Sequence, residues 1–174
     1  PIRVAGNFLT YVTMSRLKGL GWLDDEAISG FMALVDKQVK RNEQGGIIQT
    51  FSHRPQFMEH LMLNDGGFDF NAVQLEGRNY RNKIKTVENN NIFLLDMAFI
   101  PIHIKNHWIL VVVFPKEKVV RQYDGYGRVY TKWEKGVWKY LDKEHQYQFG
   151  GKKLNKKEWR HERPLLGNGP QQNG

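Results

Sequence analysis

Apolar positions along the chain change their spacing near residue 92. Before it, Ile28, Phe31, Met32, Val35 and Val39 recur at the three- and four-residue intervals of one helix face. Asp24, Asp25 and Glu26 stand at the start of that run, where acidic side chains complement the positive end of a helix dipole. Together they predict a one-faced helix over about residues 24–41. Two Gly-Gly breaks bracket "RPQFMEHLML", and Pro55 near its start predicts a second, short helix. "NAVQLEGRNYRNKIKTV" predicts a further helix or an irregular turn. From residue 92 onward Val, Ile and Phe crowd into "NIFLLDMAFIPIHI", "HWILVVVF" and "KVVRQYD", which predicts three neighbouring strands. "PKEK" is short enough to join the last two as a hairpin. Helical spacing returns over 130–144 through Trp133, Val137, Trp138 and Leu141, before a basic loop and a polar, Gly-rich tail. With no repeat and no linker in view, residues 1–174 are expected to form one domain of α+β class.

Composition narrows this picture. At 174 residues, 40% hydrophobic and 25% charged, the chain is neither disordered nor membrane-spanning in type. Its longest apolar run, "WILVVVFP", is far short of the roughly 20 residues of a membrane span, and no membrane association is expected. "PIRVAGNFLTYV" lacks the apolar centre and cleavage site of a signal peptide. The chain opens on Pro1 and closes on "GPQQNG", so it is expected to be a fragment. Cysteine is absent, which removes disulfides, thiolate metal sites and thiol nucleophiles from these residues. A net charge of +8 invites a nucleic-acid partner. The basic residues are scattered, however, and their densest cluster, "GGKKLNKKEWRHER" at 150–163, is expected to be a solvated loop rather than a binding face.

Two strand ends carry candidate chemistry. If "HWILVVVF" and "KVVRQYD" pair as a hairpin, the start of one lies beside the end of the next, and His107 and Asp124 become neighbours. A carboxylate beside an imidazole fixes its tautomer and stabilises its protonated form, the supporting half of a nucleophile–base–orienter triad. The plainer alternative is a hydrogen-bonded structural histidine. A metal shared by His103 and His107 is disfavoured, because on a strand the two rings stand too far apart and no carboxylate-rich motif accompanies them.

Several stretches resemble the SUMO-specific (sentrin-specific) cysteine proteases, the ubiquitin-like-protein protease family. "WLDDEAISGFMALV" is similar to that family's Trp-Leu-Asn-Asp-Glu helix opening. "FIPIHIKNHWILVVV" is similar to its histidine strand, and "VVRQYDGYG" to the strand ending in its triad aspartate. "GPQQNG" is similar to the start of its Pro-Gln-Gln…Asn-Gly…Asp-Cys-Gly block. The four motifs fall in order over about residues 10–174.

The resemblance implies a papain-like cysteine protease fold, with a small central mixed sheet flanked by helices. It implies hydrolysis after the terminal Gly-Gly of SUMO or a related modifier by a Cys-His-Asp mechanism. His107 is then the general base and Asp124 its orienting carboxylate. Gln171 is the oxyanion donor, with Gln172 as the alternative because the spacing to Asn173-Gly174 is one residue short of the family's. The cysteine is expected just beyond Gly174, which leaves residues 1–174 an incomplete and inactive catalytic domain. Trp22 and Trp108 match the two tryptophans between which family members thread the Gly-Gly tail, and only glycine lacks the β-carbon that would strike the rings. Asp25 matches an acidic residue that contacts the modifier, while Trp133, Trp138 and Trp159 are assigned to packing. Departures from the family pattern are Asp24 for Asn, Thr86 for Trp and Gly125 for Ser. The resemblance further implies a monomer without cofactor or specific nucleic acid, in a nuclear or nucleo-cytoplasmic setting. Two other readings stand beside it: a binding module that has lost its nucleophile, and a basic nucleic-acid-binding domain.

Overall fold

The computed structural model describes residues 2–18, 21–37, 40–41, 45–63, 67–74 and 91–164. A short antiparallel hairpin, β1 (Ile2–Val4) and β2 (Asn7–Leu9), leads into helices α1 (Tyr11–Leu17) and α2 (Asp25–Lys37). A second small hairpin, β3 (Lys40–Arg41) and β4 (Ile47–Ile48), precedes β5 (Thr50–Ser52) and the short helix α3 (Phe57–Leu61). Then follow β6 (Met97–Ile104), β7 (His107–Phe114), β8 (Val119–Tyr123), the long helix α4 (Thr131–Gln148) and β9 (Arg160–Glu162). The main sheet runs β5-β6-β7-β8-β9. Its inner pairs are antiparallel and its two outer pairs parallel, so it is the mixed sheet the family resemblance implies, with five strands where the residue pattern predicts three.

The central strands explain themselves. β7 lies third of five and buries Ile109, Val111, Val112 and Val113 in succession, the near-continuous apolar run of a strand covered on both faces. Pro101 is tolerated in β6 because β5 pairs only as far as Phe99, leaving the outer side of β6 without a ladder partner at that point among the described residues. Between β7 and β8, Lys118 takes φ +54° to close the Pro115–Lys118 turn. Helices α3 and α4 contribute Met58, Leu61, Val137, Tyr140 and Leu141 to the same core as Ile100, Ile102 and Val113.

Four expectations change, the first in the predicted strand "NIFLLDMAFIPIHI": Ile92–Leu94 form a 3-10 turn and β6 begins only at Met97. The helix expected over 24–41 is α2, Asp25–Lys37, and its buried positions are Gly30 and Ala33, whereas Phe31 is 61% exposed. The reason is close approach: a β-carbon at Gly30 would stand 3.1 Å from Leu9, and Asp36 on that side accepts bonds from the Ser52 backbone and hydroxyl. Val39 and residues 75–90, including Thr86, lie outside the described residues, and of the segment predicted as helix or turn only 71–74 is described, as helix. The last helix runs four residues longer than the predicted 130–144, ending at Gln148. The basic stretch 150–163 is not a solvated loop throughout, since Lys156–Glu158 form a 3-10 turn and β9 pairs parallel to β8.

Candidate active site

Asp124 leaves β8 directly after Tyr123, which pairs with Leu110, so its side chain comes off the sheet close to the first residues of β7. There His107 Nε2 and Asp124 Oδ1 are hydrogen-bonded. The carboxylate is 5% exposed and accepts two further bonds, from the backbone N–H of Tyr126 to Oδ1 at 3.2 Å and of Arg128 to Oδ2 at 2.6 Å. Burial pushes against its charge. The bonds from His107, Arg128 and Tyr126 outweigh that penalty and hold Asp124 below the usual carboxylate range. The turn that delivers these amides, residues 124–127, ends on Gly127 at φ +64° and is itself held by Gly127 N–H to Asp124 carbonyl, 3.1 Å.

With Nε2 occupied by a buried carboxylate, the remaining ring nitrogen, Nδ1, is the one left for a reacting partner. The imidazole packs against Tyr126, 4.7 Å between ring centroids, and opens with Ile104, Asn106, Arg128 and Tyr130 onto a cleft of about 610 Å³. Sequence reasoning missed Tyr126, Arg128 and Tyr130. Two of them act through backbone N–H groups, which every residue but proline carries, so no side-chain signature marks them.

Trp108, next to His107, donates its indole N–H to the carbonyl of Leu23 at 2.9 Å. Leu23 follows Trp22, whose indole is 40% exposed, so the segments carrying the two tryptophans meet at one surface. On the other side Trp108 stacks on His103, its cross-strand partner, at 4.6 Å and 24°. His103 Nδ1 lies 3.8 Å from Glu59, so this histidine serves the tryptophan side of the site. Among the described residues, no group of three His, Cys, Asp or Glu side chains could hold a metal ion.

The loop carrying Trp22 is fixed where it meets α2. Asp24 caps α2 through Oδ1 to Ala27 N–H at 3.0 Å, and its other oxygen lies 2.8 Å from the Thr13 hydroxyl and 3.2 Å from Arg16. Aspartate and asparagine cap a helix equally well, so aspartate at this position costs the local structure nothing. Asp25 accepts from Gln56 Nε2 at 2.6 Å, which ties α2 to the turn before α3. Gln171 and Gln172 lie outside the described residues. Trp133, Trp138 and Trp159 are partly buried against the core, as assigned.

Comparison with known proteins decides the family. The description "Ulp1 protease family, C-terminal catalytic domain" matches residues 21–166. The chain belongs to the Ulp1 protease family. Human Sentrin-specific protease 2 is 28% identical over 125 residues, covering 69% of this chain and 18% of its own length. Its mouse counterpart is 28% identical over 120 residues with the same coverage, so the chain spans about a fifth of the length of these curated relatives. Among solved structures, a de-sumoylating protease superposes with TM-score 0.69 at 16% identity, covering 95% of this chain and 62% of that one. The C-terminal Ulp1 protease domain in complex with Smt3, the yeast ortholog of SUMO, gives TM-score 0.65 at 19% identity, with 94% and 64% coverage. At these identities the structural likeness establishes the fold, and the α+β Ulp1 architecture is that of this chain.

Proposed function

We propose that this chain supplies the modifier-binding face and the histidine–aspartate pair of a thiol protease that cleaves after the C-terminal Gly-Gly of SUMO or a related ubiquitin-like modifier. The observation that carries the reading is the orientation of His107: Asp124 engages Nε2, which leaves Nδ1 for a thiol. None of the 174 residues is cysteine, and on this reading the nucleophile is the cysteine that the likeness of "GPQQNG" to the family's Pro-Gln-Gln…Asp-Cys-Gly block implies after residue 174. Nδ1 accepts the thiol proton, and the resulting imidazolium is stabilised by the Asp124 carboxylate. The thiolate then attacks the carbonyl of the terminal glycine, and Nδ1–H returns the proton to the departing amine. Water, deprotonated by the same nitrogen, releases the modifier from the thioester. Gln171, or Gln172 one position on, donates to the tetrahedral oxyanion, a contact typically worth about 3 to 4 kcal/mol.

Recognition falls to the surface where Trp108 is bonded to Leu23 beside Trp22, with Asp25 at the start of α2. Two indoles across a narrow gap admit a glycine pair and reject any residue with a β-carbon. The relative solved with Smt3 and the Sentrin-specific proteases make SUMO the first modifier to test. Calorimetry of the 174-residue chain should show binding to mature SUMO that is lost when its last two glycines are removed, and lost again in Trp108→Ala. Equal affinity for both forms of the modifier would remove the Gly-Gly passage. The absence of cysteine from the chain supports a second reading, a modifier-binding module without catalysis. The two part at turnover.

A further inference from the structure

A second pocket, of about 410 Å³, lies at the opposite end of the main sheet from His107. β7 rises over eight residues from His107 to Phe114. At about 3.3 Å per residue, that separates the two sites by roughly 23 Å. The wall of this pocket is aromatic. Phe93 has the rings of His145, Phe149 and Trp159 at centroid distances of 5.2, 5.7 and 6.4 Å. Its rim is basic, with Lys118, Lys152 and Lys153 against a single carboxylate, Glu158. Glu158 is held by Lys118, and the charge of Lys152 also acts on it, so one carboxylate faces three lysines.

These lysines stand on a fixed backbone. Gly150 and Gly151 take φ +59° and +86° and turn the chain back over the end of α4. Gly151 N–H then donates to the Gln146 carbonyl at 2.7 Å, and Leu154 N–H to Asp142 Oδ1 at 2.9 Å. The Lys152 carbonyl lies 2.6 Å from His145 Nδ1, and because a carbonyl only accepts, Nδ1 carries the proton. The end of α4 contributes about half an elementary negative charge. Three lysines against one glutamate outweigh it, and Lys156 and Lys157 continue the positive charge along the chain.

The chemistry of wall and rim selects the ligand. A cation is repelled by the rim, an apolar ligand leaves the lysines unused, and a compact anion leaves the rings unused. A planar group joined to phosphate uses both. Lys156 and Lys157 carry the basic run past the pocket, more charge than one phosphate requires. We propose that this pocket binds single-stranded nucleic acid without sequence preference, one base stacking on Phe149 and the flanking phosphates lying on Lys152 and Lys153.

The test is fluorescence anisotropy of a labelled ten-nucleotide oligo-dT titrated with the 174-residue chain at low and moderate salt. Binding should weaken with salt, and Lys152→Glu with Lys153→Glu should weaken it further and flatten the salt slope. Phe149 is 43% exposed, so it can be replaced without opening the core. Phe149→Ala should reduce affinity by at least about fivefold, the low end of the range for losing one stacked base. Phe149→Leu, which keeps apolar volume without a ring face, should do the same. Lys37→Glu, at the end of α2, should leave binding unchanged. The proposal is overturned if no binding appears at low salt, if both Phe149 variants bind like the parent, or if inorganic polyphosphate of equal charge competes as well as unlabelled oligo-dT.

Discussion

Asp124 receives three hydrogen bonds on two oxygens while nearly excluded from water, and that combination sets both its charge and its cost. Its folded pKa lies below the ordinary value of 3.8, so between the two the unfolded chain binds the extra proton. The stability it contributes is therefore fully present above the ordinary value and is lost as pH falls through the folded one. Thermal unfolding followed from about pH 7 down to about pH 3 should show a shallower acid decline in Asp124→Asn than in the parent, because the substituted amide has no proton to take up. An unchanged acid limb would mean that the carboxylate is not held as described. His107 and Asp124 are legible in the sequence because each is a lone functional group ending an apolar strand. The amides of Tyr126 and Arg128 are not, since a backbone donor leaves no mark on residue identity. Gln56 is likewise silent: nothing in "RPQFMEHLML" announces that its carboxamide reaches Asp25 across 31 positions.

Elements were read best where one residue class dominates. β6, β7 and β8 are dense in β-branched residues and declare themselves, and α4 shows its period through Trp133, Val137 and Leu141. β5 and β9 have three residues each and pair parallel to distant segments, so only tertiary contact makes them strands. For α2 the apolar period gave the helix but the wrong face, because small residues and Asp36 turn inward where β2 and β5 come close. Gly136 in α4 shows the same principle of close approach. A β-carbon there would stand 2.8 Å from Met62 Sδ and 3.0 Å from Met58 Cε. Replacing a helical glycine by alanine gains about 1 kcal/mol in propensity, and methionine side chains yield readily. Gly136→Ala should thus melt within a few degrees of the parent. Gly136→Val adds two methyl groups beyond that β-carbon, against the buried Met58, and should cost about 1 to 3 kcal/mol. For a domain of this size that is a fall of roughly 2 to 12 °C. Calorimetric melting of both variants checks the pair, and a stabilised Gly136→Val would contradict the packing described.

At the scale of the whole molecule, the sheet sets the two ends apart. One end gathers His107, Asp124, Trp108 and the Trp22 loop, and the other gathers the aromatic and lysine-rimmed pocket. The first end was legible as a set of motifs in order along the chain, which is how four separated stretches pointed to one family. The second was not, since "GGKKLNKKEWRHER" reads as a charge run until the Gly150–Gly151 turn folds it over His145 and Phe93. The central claim is that His107 and Asp124 serve a thiol. Turnover of a SUMO-Gly-Gly-fluorophore substrate by the protein carrying its natural residues beyond 174 tests it most directly. Alkylation and His107→Ala should each remove nearly all activity, and Asp124→Asn should lower kcat strongly with modifier affinity largely intact, because orientation of the base and binding are separate tasks. Activity that survives alkylation or His107→Ala, or a natural continuation with no cysteine in it, would contradict the account.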